Sequence, residues 1–236
     1  MRSHFLRSYK RPLIFVGRAT AVSTADSGTF SLALNSLTGG IGSSPQSDDL
    51  IFVVNGVSTD FGTGYSFTTP SGYTKIVDNR GNDTNDAAQA VYYKKSAGNE
   101  TSVTINATNT TDMAAIGIAH VWRNINVGTP IDVTSTTAVG GDTGRPNVPS
   151  ITPVTPGCVI LGFGVGTLGT GSSALTASGL SNVVAATQPN VVSGVAGIIA
   201  AYTAWTTGAY DMPQFGGGST STAQSWASAA VVIRPK

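Results

Sequence analysis

The chain has 236 residues, 40% of them hydrophobic and only 11% charged, with a net charge of +1 and a single cysteine. That length can bury the core of one large domain or two small ones; the apolar content excludes intrinsic disorder, and one cysteine excludes an internal disulfide framework. The 29 glycines, set among Ser, Thr, Asn and Ala, suit short strands joined by tight turns, so an all-β fold is expected.

Charge is unevenly placed. Arg2, Arg7, Lys10, Arg11 and Arg18 all precede the first acid, whereas the rest of the chain holds eight basic side chains against twelve acidic ones. Residues 1–18 therefore read as a basic N-terminal arm on a body, residues 19–236, of opposite sign. Phe5 and Tyr9 interleave with the arm's cations, and Pro12 stops any helix before the first strand-like run. Such an arm suits an acidic neighbouring surface into which the aromatics pack. Nucleic acid is disfavoured as the partner, because the body carries no excess of positive charge. The apolar run 13–16 is too short for an export signal and Arg18 interrupts it; no later window approaches a membrane span. A soluble protein made without export is expected.

From Leu13 onward the pattern is that of strands. LIFVGRATAV, TFSLAL, LIFVVNGV, YTKIV, AQAVYYKK and SVTINA are rich in branched and aromatic residues, and Gly, Ser, Asn and Asp separate them. In SVTINA, Val103, Ile105 and Ala107 alternate with Thr104 and Asn106, as in a strand with one wet face. AGNETS before it reads as a hairpin turn, since Gly98 and Asn99 tolerate positive φ. DNRGNDTND, residues 78–86, reads as a solvated loop; its oxygen-rich side chains bring Ca²⁺ to mind, but the spacing is not that of an EF-hand, and no metal site is assigned.

The stretch AAIGIAHVWRNINVGTPIDV begins as an apolar strand. Ile116, Ile118, His120 and Trp122 share one side, and Ala115, Gly117, Ala119 and Val121 the other. With both sides apolar, this strand is expected to be central and covered on both faces. A Gly- and Pro-rich stretch, residues 136–155, then reads as a crossover into a second half.

That second half echoes the first. DDLIFVVNGV resembles PGCVILGFGV, SGYTKIVDN resembles SGLSNVVAA, AAQAVYYKK resembles AGIIAAYTA, and AIGIAHVWRNI resembles SAAVVIRP. The offsets nearly agree, at 109 for Leu50 to Val159, 107 for Gly72 to Gly179 and 111 for Arg123 to Arg234. Two repeated halves, about 48–135 and 156–236, would build one antiparallel β-sandwich or jelly roll, with the strands near Leu13 and Phe30 added at an edge.

Little in the sequence points to catalysis. The two histidines are His4, in the arm, and His120, in an apolar strand; no G-x-S-x-G elbow presents a serine, and zinc lacks ligands. G-x-G-x-x-G occurs at Gly164, Gly166 and Gly169, but no helix and no ribose-binding acid follow, so these read as turn glycines. Glu100 is the only glutamate, which leaves a glycosidase without its carboxylate pair. Cys158 reads as a small core residue. A non-enzymatic protein without cofactor is expected.

One resemblance adds a biological setting. GYTKIVDN, AVYYKKSAGNETSVTI and AAIGIAHVWRNINVGTPIDV together resemble a recurring pattern of tailed-bacteriophage virion proteins and related prophage-encoded surface proteins. Gly72 and Tyr73 open one strand, Tyr93 and Lys94 precede a Gly-rich turn, and Arg123 leads to the Pro130–Asp132 step. Asn124 stands where that pattern often has glycine. The resemblance implies a β-sandwich particle component in the virion, assembled in the host cytoplasm, with major capsid or other virion proteins as neighbours. It carries over no catalytic residue. A homo-oligomer, with a trimer as the form that analogy suggests, is implied for either of two roles. In the first, a capsid cement or decoration protein docks through Arg2, Phe5, Arg7, Tyr9, Lys10, Arg11 and Arg18. In the second, a tail or head-fibre adhesin stacks host glycan on Tyr202, Trp205, Tyr210 and Trp226.

Overall fold

A computed structural model describes residues 11–23, 28–59, 66–81, 86–108, 113–141, 144–168, 173–188, 195–218 and 224–236. In chain order the strands are β1 (Ile14–Val22), β2 (Thr29–Ala33), β3 (Leu50–Thr59), β4 (Ser66–Thr68), β5 (Thr74–Gly81), β6 (Asp86–Lys95), β7 (Ser102–Thr108) and β8 (Met113–Arg123). They continue as β9 (Thr136–Gly140), β10 (Val159–Leu168), β11 (Ser173–Thr176), β12 (Ser181–Gln188), β13 (Val195–Ala204), β14 (Gly216–Gly218) and β15 (Trp226–Ile233). No helix occurs among the described residues, and every strand pair is antiparallel.

Two five-stranded sheets carry the fold, in the orders β1-β8-β3-β6-β5 and β12-β13-β10-β15-β9. Read from its other edge, the second sheet places β9, β15, β10, β13 and β12 where the first has β1, β8, β3, β6 and β5. The sheets face each other with that order reversed. β8 packs across from β13, β6 across from β15, and β5 across from β9.

Alternation along the strands sends one set of side chains into the seam between the sheets. Phe52, Val54, Ile116, Ile118 and Trp122 of the first sheet meet Leu161, Phe163, Val165, Ile198 and Val231 of the second in one buried cluster. Each such side chain contributes roughly 1.5–3 kcal/mol by leaving water. The cluster draws on both halves, so neither has a closed core alone.

The outer faces are covered too. β2, β7 and β4 form a three-stranded sheet that lays Leu32, Phe67, Val103 and Ile105 on Ile51, Val53 and Val121 of the first sheet. On the far side, β11 and β14 with the segments around Val148, Ile151, Met212 and Phe215 cover Ile160, Ile199 and Val232. β8 is thus buried on both sides, as its two apolar faces demand.

Several sequence expectations change in detail. AGNETS does not close a hairpin: β6 lies in the first five-stranded sheet and β7 in the three-stranded one, so the turn with Gly98 at φ +92° passes between layers. β1 joins the first sheet at an edge, but β2 belongs to the covering sheet. The 136–155 crossover contains β9, an edge strand paired with β15, and its remainder contributes Val148 and Ile151 to the outer core. Asp78, Asn79, Arg80 and Gly81 of the DNRGNDTND stretch are in β5 and Asp86 in β6, while residues 82–85 lie outside the described residues.

Gly164 and Gly166 are not turn residues but lie inside β10; Gly169 is outside the described residues. A Cβ on Gly164 would stand 2.6 Å from Pro146 Cβ, and one on Gly166 would stand 2.0 Å from the carbonyl oxygen of Gly144. The covering segment approaches the strand too closely there for any side chain.

Candidate functional site

The arm joins the body at the end of the sandwich where β3 begins and β8 finishes. Asn124 directly follows β8 at φ +65°, a left-handed conformation that asparagine tolerates better than most residues. Asparagine at this position thus adopts the left-handed turn and also supplies an amide. Asn124 Nδ2 donates to the carbonyl of Pro12 at 2.9 Å, and the Asn124 carbonyl accepts the N–H of Lys236 at 2.8 Å. One residue pins both the root of the arm and the end of the last strand.

Around Asn124 lies a groove of about 200 Å³ lined by Arg11, Ser47, Asp48, Asp49, Arg123 and Lys236, among others. Asp49, buried just before β3, receives Nε and Nη2 of Arg123, each at 2.8 Å. This bidentate fork holds the guanidinium pKa above its ordinary value. Gln46 donates its backbone N–H to the same carboxylate at 2.8 Å. Asp48 pairs with Lys95 at 2.8 Å, and that hydrogen bond lowers its pKa. Neither Arg11 nor Lys236 is within ion-pair distance of an acid among the described residues, although the charge of Lys236 also lowers the Asp48 pKa.

A second ion pair sits at the corresponding place in the second sheet. Arg234 Nε donates to the buried Asp132 at 3.0 Å, and the N–H groups of Val154 and Thr155 donate to the same carboxylate at 2.7 and 3.1 Å. Burial alone would raise the Asp132 pKa, but Thr155, those N–H groups and Arg234 together hold it at about 2. The 124–132 segment is stitched along the end of β15 by Asn126 N–H to Arg234 O, Arg234 N–H to Pro130 O and Asp132 N–H to Val232 O. Asp132, which the phage-like pattern places after Arg123, thus serves the second half's arginine.

The other pattern residues form a brace for the turn after β6. Lys94 lies over the Tyr73 ring, 5.8 Å from its centroid, and pairs with Glu100 at 3.0 Å. Glu100 accepts from Ser96 Oγ at 2.6 Å and from the N–H of Ala97 at 2.9 Å. Against the raising effect of burial, these donors hold its pKa at about 2.

Of the arm residues singled out in the sequence, Arg2, Phe5, Arg7, Tyr9 and Lys10 lie outside the described residues, and Arg11 is exposed at the groove. Arg18 is not in an arm at all. It lies within β1, across from His120, with its N–H bonded to Thr38 O at 2.9 Å, so the body begins at Ile14.

The four aromatics considered for glycan stacking do not share a face. Tyr202 packs edge-on against Trp122, centroids 4.6 Å apart, in the seam between the sheets. Trp226 is buried in β15, with its ring over Gly140. Trp205 and Tyr210 rest half-buried on the outer core of the second sheet, and Trp205 Nε1 donates to Gly208 O at 2.8 Å.

His120 is buried between the rings of Phe15 and Phe163, with neither ring nitrogen bonded to any described group. Burial first, and the charge of Arg18 second, lower its pKa to about 3. Burial, with Asp132 beside it, pushes the Cys158 thiol up to about 12. No cluster of three His, Cys, Asp or Glu side chains suited to a metal occurs among the described residues, and no helix there is long and apolar enough to cross a membrane. The groove escaped the sequence reading because its parts are four separate strand ends; the signal available was an acid just before one apolar strand and an arginine just after another. No protein-family model, curated protein or solved structure matches the chain.

Proposed function

We propose that the chain is a non-enzymatic structural component of a bacteriophage particle, and within that class a capsid cement or decoration protein. The observation that carries this reading is where the arm leaves the body. Asn124 holds Pro12 at the end of the sandwich where Arg11 and Lys236 stand without acid partners. In the sequence Arg2, Arg7 and Lys10, with Phe5 and Tyr9 between them, precede this point and add charge of the same sign for an acidic neighbour to meet. A rigid body whose broad faces are covered by its own chain suits a surface subunit, and weak arm contacts repeated over a lattice add up to firm attachment. The main titratable side chains also favour a structural role: Asp49, Asp132 and Glu100 brace turns, and His120 is walled in by rings.

Major capsid or other virion proteins are the neighbours this reading calls for, with a homo-oligomer, such as a trimer, as the attached form. The adhesin alternative draws less support, since Tyr202 and Trp226 are committed to packing. The test is co-sedimentation of the protein with undecorated shells, comparing the full chain with one lacking residues 1–10, a deletion that leaves β1 whole. Loss of sedimentation with a retained β-type circular dichroism spectrum is the expected result. Equal sedimentation of the two forms would sink the arm as the docking element.

A further inference from the structure

The groove at the arm root has a construction that the arm alone does not explain. Its two acids are already engaged, Asp48 by Lys95 and Asp49 by Arg123, each at 2.8 Å. Its cations are not exhausted. Arg11 and Lys236 make no side-chain hydrogen bond or ion pair with the described residues, and Arg123 uses Nε and Nη2 on Asp49 while Nη1 has no partner there. Arg123 is held by its fork on Asp49, and the backbones beside the other two are anchored, since Asn124 ties the carbonyl of Pro12, next to Arg11, and the N–H of Lys236. A fixed guanidinium between two anchored cations loses less freedom on binding than three free surface side chains would.

We infer that this groove is a carboxylate-binding site that seats an acidic polypeptide segment of the neighbouring chain, with Arg11, Lys236 and Arg123 Nη1 as its donors. The inference rests on the particle-component reading and names the chemistry of the partner. An acidic peptide fits better than nucleic acid. Asp48 and Asp49 line the same groove, and the chain beyond residue 18 carries an excess of acids, so a continuous phosphate backbone meets repulsion that a segment with one or two well-placed carboxylates avoids. The arm, being basic, is not the occupant.

The test is fluorescence anisotropy of a labelled peptide carrying two glutamates in a Gly-Ser background with the full chain, with a labelled single-stranded oligonucleotide as the competing probe. Peptide binding that weakens with added salt, and weakens roughly tenfold in the Arg11→Glu/Lys236→Glu variant, is expected from the loss of two rim charges. A Lys75→Glu/Arg80→Glu variant makes the same change of charge on edge strand β5 and should bind within about twofold of the parent. Equal affinity of parent and groove variant, equal loss in the two variants, or tighter binding of the oligonucleotide than of the peptide would overturn the inference. The chain lacking residues 1–10 separates the two claims. Groove-dependent peptide binding that survives this deletion supports the site independently of the arm. If shell attachment depends on residues 1–10 while peptide binding ignores Arg11 and Lys236, the arm reading stands and the groove inference falls.

Discussion

The two halves solve one problem with different residues. Both five-stranded sheets have an arginine at the end of an inner strand, Arg123 as the last residue of β8 and Arg234 directly after β15, and both bury a carboxylate against it. In the first half the acid is Asp49, directly before β3. In the second, Cys158 directly precedes β10, and the acid comes instead from Asp132 in the segment that leaves the first half. The thiol lies beside that carboxylate, whose charge helps to raise its pKa. Moving the acid from the strand to the connection turns a clasp within one half into a clasp between halves. The first half keeps its Arg–Asp pair at the arm groove, whereas the second spends its own on fastening the chain.

The largest effect tests whether the halves are one cooperative unit. Trp122 in β8 and Ile233 in β15 hold corresponding places and enter the same buried cluster. Trp122→Ala should cost about 3–5 kcal/mol and Ile233→Ala about 2–5 kcal/mol. Urea unfolding followed by tryptophan fluorescence and by far-ultraviolet circular dichroism should show one coincident transition in each variant. Two separated transitions would mean that each half has a core of its own.

Next in size is the clasp. Asp132→Ala leaves Arg234 and two N–H groups without their carboxylate, at a cost of about 3 kcal/mol. Cys158→Asp added to that variant should restore part of the loss by returning the acid to the strand, as in the first half. Cys158→Asp alone should destabilise, because two buried acids then face one arginine. Urea midpoints of the three variants check the swap, and a double variant no more stable than Asp132→Ala would break the correspondence.

The smallest effect concerns His120, whose counterpart by the same offset is Val231. Its folded pKa of about 3 lies below the ordinary 6.5, so between those values the unfolded chain binds the extra proton and stability falls as pH falls. Glu100 and Asp132, held at about 2, act in the same direction lower down; their contribution is complete above the ordinary carboxylate range and is lost as pH drops toward 2. Thermal midpoints should therefore decline from pH 7 to pH 4. His120→Val should flatten the upper part of that decline, worth on the order of a few kcal/mol, and leave the carboxylate part below about pH 4.5. An unchanged profile in the variant would remove His120 from the account.

The longer strands were legible because their apolar residues alternate or run together. The runs ending in Val22, Lys95 and Ile233 could be read directly, and so could the two buried faces of β8. The short covering strands were not. β14 is three glycines and β4 is Ser-Phe-Thr, and such segments become strands only because a neighbour offers a free edge. The arm's charge was visible, but Arg18 was wrongly grouped with it, since a cation facing across to His120 inside β1 looks like any other in a basic run. Asp49 and Arg123 lie 74 residues apart in the chain, and nothing local announces their pairing. Asn124 takes a left-handed conformation without being glycine, which its residue type alone does not announce.

The central claim, a subunit fastened to the outside of a particle by its arm end, is tested most directly by imaging purified virions labelled with gold-conjugated antibody against this protein. Label distributed over the capsid surface at repeated positions is the expected result. Label confined to the tail tip or fibres, or particles without label, would contradict it.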